Sequence, residues 1–138
     1  MKMKDCIFCK IIAGEIPCNK VYEDNNTLAF LDIKPVNKGH CLVLSKEHSE
    51  NLLDTKEEHL KAIMITTKKV AEAVMEATKA QGFNIHINTK EAAGQVVNHT
   101  HFHIIPRFTK DNLKLWPQHS LEEKEMQEIA KKIKAAVI

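Results

Sequence analysis

No stretch of the 138-residue chain reaches the ~18 consecutive apolar residues of a membrane-spanning helix. It has no internal repeat, no low-complexity segment and no linker rich in Pro, Gly or Ser. These absences exclude repeat architectures and strings of tethered domains. A single domain over residues 1–138 is expected, large enough to bury most of its apolar surface without disulfide staples. An excess of basic charge is also missing. The net charge of +2 argues against a general binder of nucleic-acid polymers, which would carry a basic stripe. The opening "MKMKDCIFCKII" is too short and too interrupted in its apolar part for a secretory signal. The expectation is a cytoplasmic protein with neither membrane nor nucleic acid among its partners. Its four cysteines, Cys6, Cys9, Cys18 and Cys41, then read as thiols or metal ligands rather than a disulfide framework.

What the chain does contain is an order of short strands and long helices. A helical or turn segment at 6–12 is broken by "GEIP". Strands are expected at 19–24, 27–33 and 40–46, the first two as a hairpin around "DNN". An amphipathic helix follows from Thr55 to about Lys79, with Thr55 and Glu58 spaced as a capping box and Gly82 as its stop. Further strands are expected at 83–88 and 96–105. Ser120 and Glu123 repeat the capping-box spacing before a C-terminal helix at about 120–137. The class is α+β: a five-stranded antiparallel sheet, covered on one face, with a long helix between strands 3 and 4 and a C-terminal helix.

The chemistry concentrates in "NHTHFHIIPR" (98–107), where His99, His101 and His103 occupy alternate positions. Alternation on a strand sends all three to one side, with Phe102 and Ile104 on the other. One exposed histidine is ordinary surface; three in strict alternation are not. Crowded imidazoles suppress one another's protonation. Neutral rings can then act as nucleophile, base or metal ligand. In "TLAFLDI", Phe30 and Asp32 share a face, an apolar ring beside a carboxylate that suits base and ribose. Asn84, His86 and Asn88 share a face of the fourth strand, and Gly94 lies in a loop where backbone N–H groups can approach an anion. The Cys6–Cys9 pair is a C-x-x-C, open to redox, metal or chance readings, with no preceding strand to favour redox. If it is half of a Cys₂His₂ site, spacing cannot choose among His40, His48, His59, His86, His119 and the triad.

"CIFCKIIAGEIP", "VYED", "LAFLDI", "KGHCLVL" and "AGQ…HTHFHIIPR" occur in an order that resembles the histidine triad (HIT) superfamily, in particular its Hint-like and bacterial branch. The resemblance covers nearly all of residues 5–107. It implies a HIT-like fold, commonly a homodimer, and a nucleotide hydrolase or transferase acting on the α-phosphate of purine nucleoside phosphoramidates or related nucleotidyl conjugates. It implies His101 as nucleophile through a nucleotidyl-histidine intermediate, with His103 and His40 stabilising the phosphate oxygens and His99 beside them. Asn88, Gly94 and Gln95 fall where the family contacts phosphate. Ile7, Phe8, Ile11, Phe30 and Ile33 fall where it packs the base, and Asp32 where it binds ribose. The bacterial branch implies one structural Zn²⁺ per chain on Cys6, Cys9, His48 and His99, leaving Cys18 and Cys41 as buried free thiols. Val96 departs from the family's usual Ser or Thr and cannot donate a proton to a leaving amine. Other readings are a dinucleoside polyphosphate hydrolase of the Fhit-like branch, a nucleotide-binding interaction module with little turnover, and a catalytic metal held by the triad itself. His86 has no role in any of them.

Overall fold

The computed structural model describes residues 5–138. Residues 1–4, where the stretch read as too short for a signal begins, lie outside the described residues. The sheet is five-stranded and antiparallel throughout: β1 (Lys20–Glu23), β2 (Thr27–Leu31), β3 (Cys41–Ser45), β4 (Gly82–His86) and β5 (His101–Arg107). Spatial order is β1-β2-β3-β5-β4, so β5 enters between β3 and β4. Three helices, α1 (Ile7–Ile12), α2 (Glu57–Thr78) and α3 (Glu123–Ala136), complete the fold expected from the sequence. No helix among the described residues is long and apolar enough to cross a membrane.

Alternation along the strands builds two cores rather than one. Ala29, Cys41, Val43, Phe102 and Ile104 face α2, whose Ile63, Val70, Ala71 and Val74 recur at helical spacing and are buried there. Each full burial of a side chain of this size is worth about 1.5–3 kcal/mol. On the opposite face Leu28, Phe30, Leu42 and Leu44 pack against Phe8 of α1, so the sheet is covered on both faces where one was expected. This second core positions the site, because His101 and His103 stand in register with Leu44 and Leu42.

Several local expectations shift. The last strand begins at His101 rather than 96, because Thr100 is held out of the ladder. Its N–H donates to Ser49 O at 2.9 Å and its hydroxyl joins those of Ser49 and Thr55. Thr55 therefore does not cap α2: its hydroxyl donates to Asn51 O, its backbone N–H closes the preceding 3₁₀ turn on Leu52 O, and α2 starts two residues later behind Lys56. The capping box that exists is Asn51 with Asp54, around a one-turn 3₁₀ helix. Ser120 likewise does not cap α3, which starts at Glu123. Helix α2 ends through Lys79 in the left-handed conformation (φ 60°), while Gly82 opens β4. Gly39 carries a real constraint. At φ +100° it passes so close to α2 that a Cβ would lie 2.6 Å from Thr78 Cγ2, and this close approach places His40 at the edge of β3. Of the two thiols expected to be buried, Cys41 is, and burial pushes its pKa up to about 11; Cys18 is half-buried.

Candidate active site and metal centre

The backbone decides where each imidazole keeps its proton. His101 Nδ1 lies 2.6 Å from the carbonyl oxygen of His99, which can only accept. Nδ1 is thus the N–H, and Nε2 of a neutral His101 carries a free lone pair. In His40 the assignment is reversed: Val36 N–H donates to Nδ1 at 3.1 Å, so the ring proton sits on Nε2. That N–H donates to His103 Nδ1 at 2.9 Å, which leaves His103 with its own N–H on Nε2. Asp32 Oδ2 stands 3.6 Å from His40 Nε2 and completes the group. Burial pushes the His103 pKa down to about 4, with the His101 and His40 rings adding to it. Burial also lowers His40 and His101, against the opposing pull of the Asp32 carboxylate and, for His101, of the His99 carbonyl. The three rings are therefore neutral near pH 7.

His99 faces different partners. It is fully buried, and its Nε2–H donates to Ser45 O at 2.8 Å, which turns the Nδ1 lone pair towards Cys6 and Cys9. Nδ1 lies 3.4 Å from Cys6 Sγ, 3.6 Å from Cys9 Sγ and 3.2 Å from His48 Nδ1; Cys9 Sγ lies 3.4 Å from His48 Nδ1. These four groups form a cluster able to hold a metal ion. A tetrahedral ion with Zn–S of about 2.3 Å and Zn–N of about 2.0 Å would set edges of roughly 3.5 Å for S···N and 3.3 Å for N···N. The donor set therefore has the spacing of a closed Cys₂His₂ centre. Its histidine is braced by a backbone carbonyl, as metal-bound histidines generally are. Cys6 also serves α1 directly: its Sγ caps the helix, accepting from Cys9 N at 3.4 Å.

Asp32, His40 and His103 are close enough to hold a metal as well. Their protons oppose it. A metal on His40 Nε2 would force the ring proton onto Nδ1, against the N–H of Val36. The triad does not act as one ligand set either, since His99 turns to the cysteines while His101 and His103 turn to the sheet face.

The remaining expected residues divide into groups. Phe8, Phe30 and Ile11 meet in the second core, with Phe8 and Phe30 edge to face at 5.7 Å and Phe8 5.0 Å from the His101 ring. Ile33 is 87% exposed beyond Asp32. Ile7 is exposed and borders a hollow with Cys6, His48 and Val96, on the metal side. Asn88 Nδ2 lies 3.9 Å from where a Cβ on Gly94 would be, so these two adjoin. The N–H groups of Gly94 and Gln95 are bonded inside the loop, to Glu91 O and Lys90 O. The Gln95 side chain ties the loop from within, accepting from Lys90 N and donating to Glu50 O and Val97 O. Arg107 is bound to Asp111, Asn84 and Leu113 O. His59 and His119 join neither cluster. Reading the sequence alone missed the part played by Ser45, Val36 and the His99 carbonyl, because they act through backbone atoms that every residue has.

A family model described as the HIT domain matches residues 13–110. The adenosine 5'-monophosphoramidase hnt1 of Schizosaccharomyces pombe is 37% identical over 134 residues, covering 96% of this chain and 98% of that one. The adenylylsulfatase HINT3 of Arabidopsis thaliana is 44% identical over 117 residues, 85% of this chain and 58% of that one. Among solved structures, a HIT family member from Bacillus subtilis superposes with a TM-score of 0.91 at 42% identity, covering 98% of this chain and 99% of that one. A Zn-bound histidine triad family protein from Mycobacterium smegmatis gives 0.77 at 35% identity, over 96% and 98%.

Proposed function

The chain belongs to the HIT domain family, and on that footing we propose that it is a nucleotide hydrolase or transferase acting at the α-phosphate of purine nucleoside phosphoramidates or related nucleotidyl conjugates. The observation that carries this reading is the His99 carbonyl at 2.6 Å from His101 Nδ1, which leaves Nε2 as an unprotonated nucleophile on a buried ring. Attack forms an Nε2–P bond as the P–N bond to the amine breaks, and the amine takes its proton from water because Val96 has none to give. Water then forms a P–O bond as Nε2–P breaks, releasing the nucleoside monophosphate, a proton and the neutral ring. His103 Nε2–H, held in that tautomer by His40, donates to the phosphate oxygens as negative charge develops. Asp32 binds the ribose, and Phe8, Phe30 and Ile11 form the apolar wall for the base.

Cys6, Cys9, His48 and His99 hold one structural Zn²⁺ per chain in this reading, a closed site that ties α1 to the sheet. The S. pombe phosphoramidase and the Zn-bound M. smegmatis structure support these two parts. The working form is a homodimer. Met126, Ile129 and Ile133 of α3 are exposed, as are Met64, Ile65 and Phe83 around α2 and β4, and a second copy would cover such surfaces.

One sample tests the proposal. Wild type is expected to hydrolyse an adenosine phosphoramidate faster than a diadenosine polyphosphate, to form a trappable nucleotidyl-histidine, and to sediment at twice the 15.7 kDa chain mass. His101→Ala is expected to lose at least ~10³-fold in turnover while still binding adenosine monophosphate. Retained turnover in that variant would sink the mechanism.

A further inference from the structure

The loop that delivers His40 to the edge of β3 lies mostly in solvent. Ile33, Lys34, Pro35, Val36 and Lys38 are all exposed. Yet this loop supplies the Val36 N–H that meets His40 Nδ1 at 3.1 Å and orients the ring whose Nε2–H meets His103. An exposed segment without a tether samples other conformations, and a bond from its backbone is then made only part of the time. Asn37 is the one residue between 33 and 38 that is not exposed, and its side chain crosses to the end of β5. There Nδ2 donates to Pro106 O at 2.9 Å and to Asp111 Oδ2 at 3.2 Å.

The receiving end is itself fastened. Asp111 accepts from Arg107 Nε at 2.8 Å and Nη2 at 3.2 Å, and from the backbone N–H groups of Phe108 and Leu113, each at 3.0 Å. At the other end Asn37 O accepts from His40 N at 3.0 Å, closing a turn over residues 37–40 with Gly39, at positive φ, in its third place. Loop and strand are thus joined twice: Asn37 to Pro106, and His40 to His103 three residues earlier on β5. From this closed ring we infer that Asn37 is a positioning residue. By fastening the loop to β5 it keeps the Val36 N–H on His40, and so keeps His103 Nε2–H aimed at the phosphate oxygens. Its effect on turnover rests on the reaction proposed above. Asn37 also borders a hollow of about 480 Å³ with Asp32 and His40. Its two amide hydrogens are already given to Pro106 and Asp111, so it has no donor left for a ligand there.

Three altered chains test this. Asn37→Ala removes the tether, Asn37→Asp keeps its shape without the donor, and an ester in place of the Val36 amide removes only the last N–H. Each is expected to lower kcat on an adenosine phosphoramidate about tenfold with KM within about twofold, because the aimed donor acts on charge that develops in the transition state. In ring ¹⁵N spectra near pH 7, His40 Nδ1 should show the shift of a hydrogen-bond acceptor in wild type and of an unbonded nitrogen in all three. A variant at position 37 that is less stable but keeps His40 Nδ1 bonded overturns the inference, because its role is then structural only. A raised KM at unchanged kcat overturns it too, by making Asn37 a ligand contact. Should the substitutions at 37 fail to fold, the ester decides: unchanged kcat there overturns the inference. Failure of wild type to cleave the phosphoramidate overturns the reaction instead, and the ring spectra still decide whether Asn37 holds His40.

Discussion

Two imidazole clusters lie side by side in this fold, and they differ in where their protons point. Around His40 and His103 the groups alternate: Val36 N–H gives to His40, and His40 gives to His103. That chain satisfies itself and ends in a donor suited to an anion. Around His99 the lone pairs converge. Its only proton goes to Ser45, and the Nδ1 that remains meets another imidazole nitrogen at 3.2 Å and two sulfurs. Such a cluster has the donor set and spacing to hold a metal ion at its centre. Residue type does not make this difference. A backbone carbonyl or N–H beside each ring does, and His99 and His101 fall on opposite sides of the divide two residues apart.

The comparison can be broken most severely on the converging side. Cys9→Ser should reduce bound zinc from one per chain to almost none and lower the melting midpoint by roughly 10 °C, because the ion's binding energy contributes to folding. Unchanged metal content, measured by emission spectroscopy on the same preparation, would remove the metal from the account. A smaller effect concerns pH on the alternating side. His103 is neutral when folded, with a pKa near 4, but titrates at about 6.5 when unfolded. Its contribution to stability is complete above pH 6.5 and is lost as pH falls towards 4, where the unfolded chain binds the extra proton. The acid limb of kcat/KM should therefore lie below 6.5, with ring ¹⁵N shifts showing Nδ1–H on His101 and Nε2–H on His40. A limb above 6.5, or protonated rings at that pH, contradicts the geometry. The smallest change is Val96→Ser, which would return a hydroxyl to the loop. It should speed expulsion of poor amine leaving groups by up to about tenfold and leave good ones unaffected. Equal acceleration of both would show that leaving-group protonation is not what position 96 controls.

Period-two alternation carried much of this into the sequence. Phe30 and Asp32 on one face, and Phe102 and Ile104 on the core side of the histidines, follow from strand geometry alone and stand in the structure. What alternation could not show is that the strand starts at His101. Three hydroxyls, those of Ser49, Thr55 and Thr100, close on one another across 51 positions of sequence and hold residue 100 out of the ladder. The same bonds removed Thr55 from its expected helix cap. His48 was equally hidden to spacing, since its approach to the cysteines is made by the fold and only the family resemblance singled it out. The second core was missed because Phe8 lies in a six-residue helix too short to show a periodicity.

The loop before the histidines has one more consequence, concerning entropy. Gln95 ties Lys90 in both directions, backbone N–H to its carbonyl and side-chain oxygen to its amide, while its amide nitrogen reaches Glu50 and Val97. A glycine-bearing loop left free would have to be frozen by each arriving phosphate, at roughly 1–2 kcal/mol for every residue ordered. Here that ordering was completed when the chain folded, so on the proposed reading an arriving phosphate would meet a loop that no longer has to be frozen.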